Sequence, residues 1–273
     1  MYLNRILEEK EITEKTRYRQ IDVPYVDSVI RNSWDRTRQK HDVQECDEVI
    51  FELTEIISNC KGIGWADLVV TRAGLQIEAG RPYEAANFLR PKLKEGAQLV
   101  DNCFAHNVFV SALNAMNWFQ ASLVHLQPRL QQGELLYGNP TANFSFVKAL
   151  TKLHKQNEVV NHLGPQLEMK GVLYGHRVAH TLFGSALNNL KKRREALNHF
   201  EPLIDTVFVR DKRGLTFYAD LLTKENKCDQ AIAFLEPRMQ RGAILDQDPW
   251  ARDIYRRARG GLKLKNPYLR QFL

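Results

Sequence analysis

Residues 196–202 read ALNHFEP, and four other segments repeat the pattern: 85–91 (AANFLRP), 122–128 (SLVHLQP), 159–165 (VVNHLGP) and 231–237 (AIAFLEP). The first four prolines lie 37 residues apart, and the fifth follows after 35. A small or β-branched residue stands six positions before each proline, and large apolar residues stand two before and two after. This spacing is the stripe of an amphipathic helix and not the alternation of a strand. Each segment is predicted to form a helix, called helix B.

A second stripe lies at a fixed distance upstream. Twelve residues before the small position of helix B stand Ala73, Val110, Val147, Gly184 and Ala219. In the last four units an aromatic residue comes just before this position, and a leucine comes three residues after it. Polar residues separate the two stripes, so each unit is predicted to be a helix–turn–helix repeat, helix A then helix B. The sequence therefore predicts an all-α fold, an α-solenoid of about five repeats with a period of about 37.

The recurrent proline is predicted to lie inside helix B. A proline within a helix removes one backbone hydrogen bond and costs about 3 kcal/mol. Because it recurs in every unit, it is expected to bend each helix B alike and so to set the curvature of the stack.

The segments outside the repeats predict capping elements. Residues 1–61 are assigned to an N-terminal arm and a capping hairpin, with helices at 24–40 and 43–60, and residues 1–20 fit either an amphipathic arm or a disordered segment. The repeats occupy residues 62–246. Residues 247–273 are assigned to a capping helix, 249–259, which Gly260 and Gly261 are expected to end, and to a basic tail.

The order of large and small residues in both helices resembles the tetratricopeptide (TPR) superfamily over about residues 65–242. That resemblance implies a right-handed α-solenoid that binds protein on a concave surface built from helix A. The period of 37 differs from the usual 34 of TPR repeats. Three helix-A segments, 107–113 (NVFVSAL), 144–150 (FSFVKAL) and 181–187 (TLFGSAL), are also similar to pentatricopeptide (PPR) repeats, which bind RNA.

The resemblance directs one set of helix-A residues toward a ligand. From the second repeat onward this set is nearly all polar, and its amides can pair with a peptide backbone or with base edges. In the PPR interpretation, Asn107, Thr181 and Thr216 stand at the main base-reading position, where Phe144 breaks the pattern. The full set is Asn107, Ser111, Asn114, Phe144, Lys148, Thr151, Lys152, Thr181, Ser185, Asn188, Asn189, Thr216, Asp220, Thr223 and Lys224.

The net charge of +7 is concentrated at the C-terminal end, where the last 24 residues carry seven bases against one acid. Bases interleaved with aromatic residues suit phosphate contact and base stacking, and they equally suit an acidic protein surface. The basic candidates in this tail are Arg252, Arg256, Arg257, Arg259, Lys263 and Lys265.

The sequence carries no nucleotide-binding or hydrolase motif and no cysteine spacing typical of zinc sites. His125, His162 and His199 recur three residues before the proline and are predicted to be half-buried packing residues, since neighbouring helices lie too far apart for one metal ion. No cofactor or membrane span is expected, and without a secretory signal the protein is expected to be soluble and intracellular, in cytoplasm or organelle matrix.

These features favour a non-enzymatic scaffold, a subunit or adaptor of a larger assembly with a protein or peptide on the helix-A face. The alternative is a PPR-like RNA-binding or ribonucleoprotein component, organellar in one version, that uses the groove and the basic tail.

Overall fold

The computed structural model describes residues 23–40, 43–59, 64–94, 97–168 and 171–265, and all regular secondary structure in these ranges is helical. The all-α class and the helix–turn–helix repeats of the predicted α-solenoid are confirmed. The predicted arm at residues 1–20 lies outside the described residues. Lys263 and Lys265 lie in a described helix, but their side chains fall outside the description.

Six helical hairpins and one further helix make up the described chain. The N-terminal hairpin pairs α1 (Val23–Lys40) with α2 (Val43–Asn59), close to its predicted limits. The five repeats follow as α3 (Trp65–Glu78) and α4 (Pro82–Leu89), α5 (Cys103–Ala115) and α6 (Phe119–Leu126), α7 (Pro140–Lys152) and α8 (Gln156–Leu167), α9 (Arg177–Asn189) and α10 (Arg193–Phe200), and α11 (Lys212–Lys224) and α12 (Cys228–Leu235). The last helix is α13 (Pro249–Lys265).

The chain divides into two compact units, Met1–Ala149 and Leu150–Leu273, with the boundary inside α7. In the first unit, α4 packs against its own α3 and against α5 of the next repeat, and α3 also contacts α5. In the second unit, α10 packs in the same way against α9 and α11, and α9 contacts α11. Each of these helices B is thus shared between two helices A, so its apolar residues are buried by stacking of repeats.

The small position of helix A lies where helix B approaches most closely. A Cβ at Gly184 would stand 2.5 Å from Cε2 of Phe200 on α10 and 2.9 Å from Cε1 of Phe217 on α11. The equivalent residues of the other repeats, Ala73, Val110, Val147 and Ala219, are all fully buried. The large-then-small pair seen in the sequence is therefore a packing requirement between helices.

The turn between helix A and helix B has the same form in every repeat. One residue per turn has a positive φ, between 59° and 74°: Gly80, Asn117, His154, Lys191 and Asn226. The following amide donates a hydrogen bond to the carbonyl five residues earlier, as from Trp118 N to Leu113 O at 2.8 Å. This left-handed residue closes the C-terminus of helix A.

Asparagine or aspartate residues begin four helices after the first repeat, a signal that the sequence interpretation missed. The side chain of each accepts a hydrogen bond from the amide three residues later, at 2.8 to 3.2 Å. Such caps satisfy amides that have no partner within the helix. The four capping residues are Asn102, Asn139, Asp211 and Asp248, before α5, α7, α11 and α13.

The predicted bend of every helix B at its proline is wrong for four of the five repeats. The α-helix ends two residues before Pro91, Pro128 and Pro202, and each proline is the second residue of a 3₁₀ turn that follows. Helix α12 likewise ends two residues before Pro237, and in α8 the proline, Pro165, lies inside the α-helix. Proline has no N–H to donate to the carbonyl four residues back, whereas the start of a 3₁₀ turn needs none.

The shorter last period has its origin in the loop of the fourth repeat. In the second repeat the amide of Leu136 returns to Arg129 O at 2.9 Å, a span of seven residues. In the fourth repeat Phe208 takes this role by donating to Leu203 O at 3.0 Å, a span of five. The ring of Phe208 is larger than the side chain of Leu136 and would collide with a Cβ at residue 214. Residue 214 is glycine, so the collision does not arise.

Helix α13 is longer than predicted and resembles a helix A. It packs against α11 and α12 as the next helix A would, with Ala251 fully buried at its first turn. The expectation that Gly260 and Gly261 end it is wrong, since the helix runs to Lys265. A Cβ at Gly261 would stand 2.8 Å from Cys228 Sγ, so this glycine permits close packing on α12.

Candidate functional site

Three of the predicted binding residues, Asn107, Asn114 and Thr216, are buried, with at most 9% of each residue exposed. Asn114 Oδ1 accepts a hydrogen bond from Ser122 Oγ at 2.9 Å and so joins helix A to helix B. Asn107 Nδ2 donates to Asn139 Oδ1 at 3.4 Å, and Thr216 Oγ1 donates to the carbonyl four residues earlier at 2.8 Å. The prediction that these three side chains face outward is wrong, because the positions are buried within the fold. Asn107 Oδ1 is buried without a hydrogen-bond partner among the described residues.

The other predicted residues of the first unit divide by exposure. Ser111 on α5 and Lys148 on α7 are exposed, and Phe144 is half-buried. Lys148 directly follows Val147, the small position of its helix A. These two exposed side chains are the part of the predicted set that remains accessible in this unit.

In the second unit the predicted residues remain accessible to different degrees. Thr151, Lys152, Asn189 and Lys224 are exposed, whereas Thr181, Ser185, Asn188, Asp220 and Thr223 are half-buried. The hydroxyls of Thr181 and Thr223 each donate to a carbonyl of their own helix at 3.0 Å, which leaves their oxygens free to accept. Asn188 Oδ1 accepts from Arg193 Nε at 3.2 Å.

The last two residues of helix A are equivalent predicted positions in three repeats. Thr151–Lys152 on α7, Asn188–Asn189 on α9 and Thr223–Lys224 on α11 are equivalent pairs at the C-terminal ends of three helices A. The second member of each pair is exposed in all three repeats. We call these three pairs the helix-A pairs.

An ion-pair cluster joins α11 to α13. Asp220 Oδ2 lies 2.6 Å from Lys224 Nζ, and Asp220 Oδ1 lies 3.1 Å from Arg257 Nη2. Arg257 also contacts Asp253 Oδ2 at 3.1 Å. Asp220 and Arg257, predicted as binding residues of two separate sites, are therefore brought together as a structural contact.

The remaining described arginines of the predicted basic tail lie on an exposed face of α13. Arg252, Arg256 and Arg259 are exposed, and 79% of the Arg256 side chain is accessible. Arg256 Nη2 lies 3.7 Å from Asp253 Oδ1, and the Arg259 guanidinium lies 5.7 Å from the centre of the Tyr255 ring. Within the described residues, Arg252 makes no ion pair.

Two histidine pairs, each of one buried and one half-buried ring, recur in alternate repeats. His106 Nε2 lies 2.7 Å from Val100 O, and since a carbonyl only accepts, this nitrogen carries the proton. His106 Nδ1 then accepts from His125 Nε2 at 2.8 Å, and both rings are neutral. His180 and His199 repeat the arrangement at 2.8 Å. In each pair the two ring nitrogens are hydrogen-bonded to each other, so no metal ion fits between them.

Burial disfavours the charged form of these rings. Desolvation, together with the nearby Arg129, lowers the pKa of His125 to about 3. Desolvation lowers the pKa values of His162 and His199 to about 4. The predicted half-buried packing role of all three is confirmed. The sequence interpretation missed the partners, although His106 and His180 stand at the same repeat position of helix A.

The chemistry available on these surfaces is that of binding. The helix-A pairs offer hydroxyl, amide and ammonium groups, and α13 offers guanidinium groups. No group of three or more potential metal ligands lies together in the part of the chain that the structure describes. Within the same residues, no helix combines the length and apolar character needed to cross a bilayer.

No family model matches the sequence, and no curated protein matches it. Among solved structures, the chain is similar to the crystal structure of the P58(IPK) TPR domain at 2.5 Å. The match has 16% sequence identity, covers 88% of this chain and 67% of that chain, and has a TM-score of 0.36. At so low a TM-score, the description of the fold rests on the helices of this chain itself.

Proposed function

We propose that this protein is a non-enzymatic scaffold, an adaptor or subunit of a larger assembly, that binds a segment of a partner protein on its helix-A pairs. The observation that carries the proposal is the recurrence of an exposed polar residue, Lys152, Asn189 and Lys224, at one position of three successive repeats. Repeat proteins bind extended ligands by presenting equivalent positions of successive units.

The chemistry of the pairs favours a polypeptide that carries acidic residues. Asparagine supplies both a donor and an acceptor, which matches the N–H and C=O of a peptide backbone. Lysine supplies three donors and a positive charge, and its hydrogen bonds to carboxylates are stronger than those between neutral groups. A partner segment with free backbone groups and acidic side chains is the ligand that these residues fit.

Base reading by helix A is less well supported. Asn107 and Thr216 stand at the position that the PPR resemblance gives to base recognition, yet both are buried. The hydroxyl of Thr181 already donates to its own helix. A nucleobase edge would have to displace these contacts, whereas a ligand on Asn189 and Lys152 displaces none that the described residues make.

The test is affinity capture with surface variants of the full chain. The helix-A variant, Lys152→Glu with Asn189→Glu, makes the surface of two helices A more negative. The control, called the helix-B variant, is Asn161→Glu with Asn198→Glu, which adds negative charge at exposed positions of helices B in the same repeats. Captured proteins are quantified by mass spectrometry after nuclease treatment of the extract. The helix-A variant is expected to lose its partner at least about tenfold, or about 1.4 kcal/mol, and the helix-B variant to keep it. Equal capture by both would refute the proposal.

A further inference from the structure

Helix α13 has the packing and the register of a helix A, and three of its exposed arginines lie at positions that are buried in other repeats. Arg252, Arg256 and Arg259 follow the capping Asp248 by four, eight and eleven residues. In the second repeat these positions are His106, Val110 and Leu113, and in the third they are Asn143, Val147 and Leu150. All six of those residues are buried, at most 2% exposed.

This arginine stripe of α13, Arg252, Arg256 and Arg259, is open in the described part of the chain. All three side chains are exposed, whereas the equivalent positions of the second and third repeats are covered by neighbouring elements. The one acid on α13, Asp253, is shared between Arg256 and Arg257. The stripe therefore combines three guanidinium groups with little local neutralisation.

The charge around the stripe is positive well beyond α13. Residues 150–273 contain 22 lysines and arginines against 13 acids, a net charge of +9. Residues 1–149 contain 17 against 19, a net charge of −2. A polyanion is therefore drawn to the second unit and not to the first.

We propose that the arginine stripe of α13 binds the phosphate backbone of a single-stranded nucleic acid. Residues at i, i+4 and i+7 lie in one row along a helix and span about 10 Å at 1.5 Å per residue. The planar guanidinium matches a phosphate with two parallel hydrogen bonds, which lysine cannot do. This ligand is additional to the protein partner of the helix-A pairs and uses different residues.

The absence of apolar side chains from the stripe favours a nucleic acid over an acidic protein helix, because protein interfaces are usually anchored by buried aromatic or aliphatic residues. Trp250, two residues before Arg252, lies on the opposite side of α13 and is not part of the stripe.

The experiment measures fluorescence anisotropy of a labelled oligouridine with the full chain, from about 50 to about 200 mM salt. The variant removes three charges by Arg252→Gln, Arg256→Gln and Arg259→Gln. The matched control removes three charges in the turn before and at the start of α10 by Lys191→Gln, Lys192→Gln and Arg194→Gln, all exposed. Urea midpoints of both variants verify that the fold is retained.

Three phosphate contacts contribute a slope of about −2 to the logarithm of affinity against the logarithm of salt. Over this salt range they account for about a 20-fold loss of affinity, which the stripe variant should no longer show and the control should keep.

An unchanged slope in the stripe variant, an equal reduction in the control, or no binding of wild type at low salt would each overturn the proposal. Tighter binding of a polyglutamate peptide than of oligouridine, lost in the stripe variant, would instead make the stripe an acidic-protein site. Each of these results leaves the capture experiment on the helix-A pairs unaffected, because that experiment changes other residues.

Discussion

Alanine at Gly184 is expected to destabilise the fourth repeat, although alanine is the better helix former. The added Cβ would stand 2.5 Å from Phe200 Cε2 and 2.9 Å from Phe217 Cε1. Phe200 is fully buried and stacks on Phe208 with ring centroids 4.9 Å apart, so it cannot move aside without disturbing a second ring. Overpacking costs about 1–3 kcal/mol, and the gain in helix propensity returns about 1 kcal/mol. With rings on two sides, we expect a net loss of about 2 kcal/mol.

Urea unfolding followed by circular dichroism measures this loss. With a denaturant slope of about 2 kcal/mol/M, the midpoint should fall by about 1 M. The control is the same substitution at Gly260, a helical glycine of α13 with no atom within 4 Å of its added Cβ, where a gain of up to about 1 kcal/mol is expected. A Gly184→Ala variant as stable as wild type would refute the close packing of helix A beneath helix B.

Three further predictions concern stability. The free energy of unfolding should change little between about pH 7.5 and 8.5 and should fall as the pH drops toward 4, because the pKa of His199 is about 4 in the fold and about 6.5 after unfolding. Urea midpoints across this range test the prediction, and a rise on acidification would contradict it. Asp220→Asn should break the ion pair with Arg257 and lower the free energy of unfolding by about 1 kcal/mol at low salt and by less at high salt. Thermal unfolding measures this loss, and a loss independent of salt would argue against the ion pair. Gly261→Ala should destabilise α13 by about 1 kcal/mol and so speed hydrogen exchange of the α13 amides, whereas Gly260→Ala should not. Equal exchange in the two variants would place the end of α13 earlier in the chain.

The repeats were predictable because each depends on residues that the period preserves. The small position of helix A and the large apolar residue two positions before each proline are buried in every repeat, so the constraint on residue size is visible in the sequence itself. The shape of helix B at the proline was not predictable, because proline can either bend an α-helix or begin a 3₁₀ turn. The caps Asn102 and Asp248 were visible in principle, because each stands eight residues before the same helix-A register.

Exposure along helix A was the least predictable property. Asn114 and Asn188 are the same residue type at the same position of the repeat, yet the first is buried and the second is half-buried. The difference depends on which loop or helix of the neighbouring repeat covers the position, and no local pattern encodes that. The Gly260–Gly261 pair was misread for a similar reason: local propensity predicts a helix end, whereas the contact with Cys228 gives the second glycine a packing role.

The most direct test of the proposed partner surface is photo-crosslinking at two asparagines of the fourth repeat. Asn189 ends helix α9 and Asn198 lies on helix α10, and both are exposed. A photoreactive amino acid is placed at one or the other in the full chain, and the protein is irradiated in cell extract. We predict a discrete protein adduct at residue 189 that survives nuclease, and none at residue 198. A nuclease-sensitive adduct at 189, or equal adducts at both positions, would contradict the assignment of helix A as the surface that binds a partner protein.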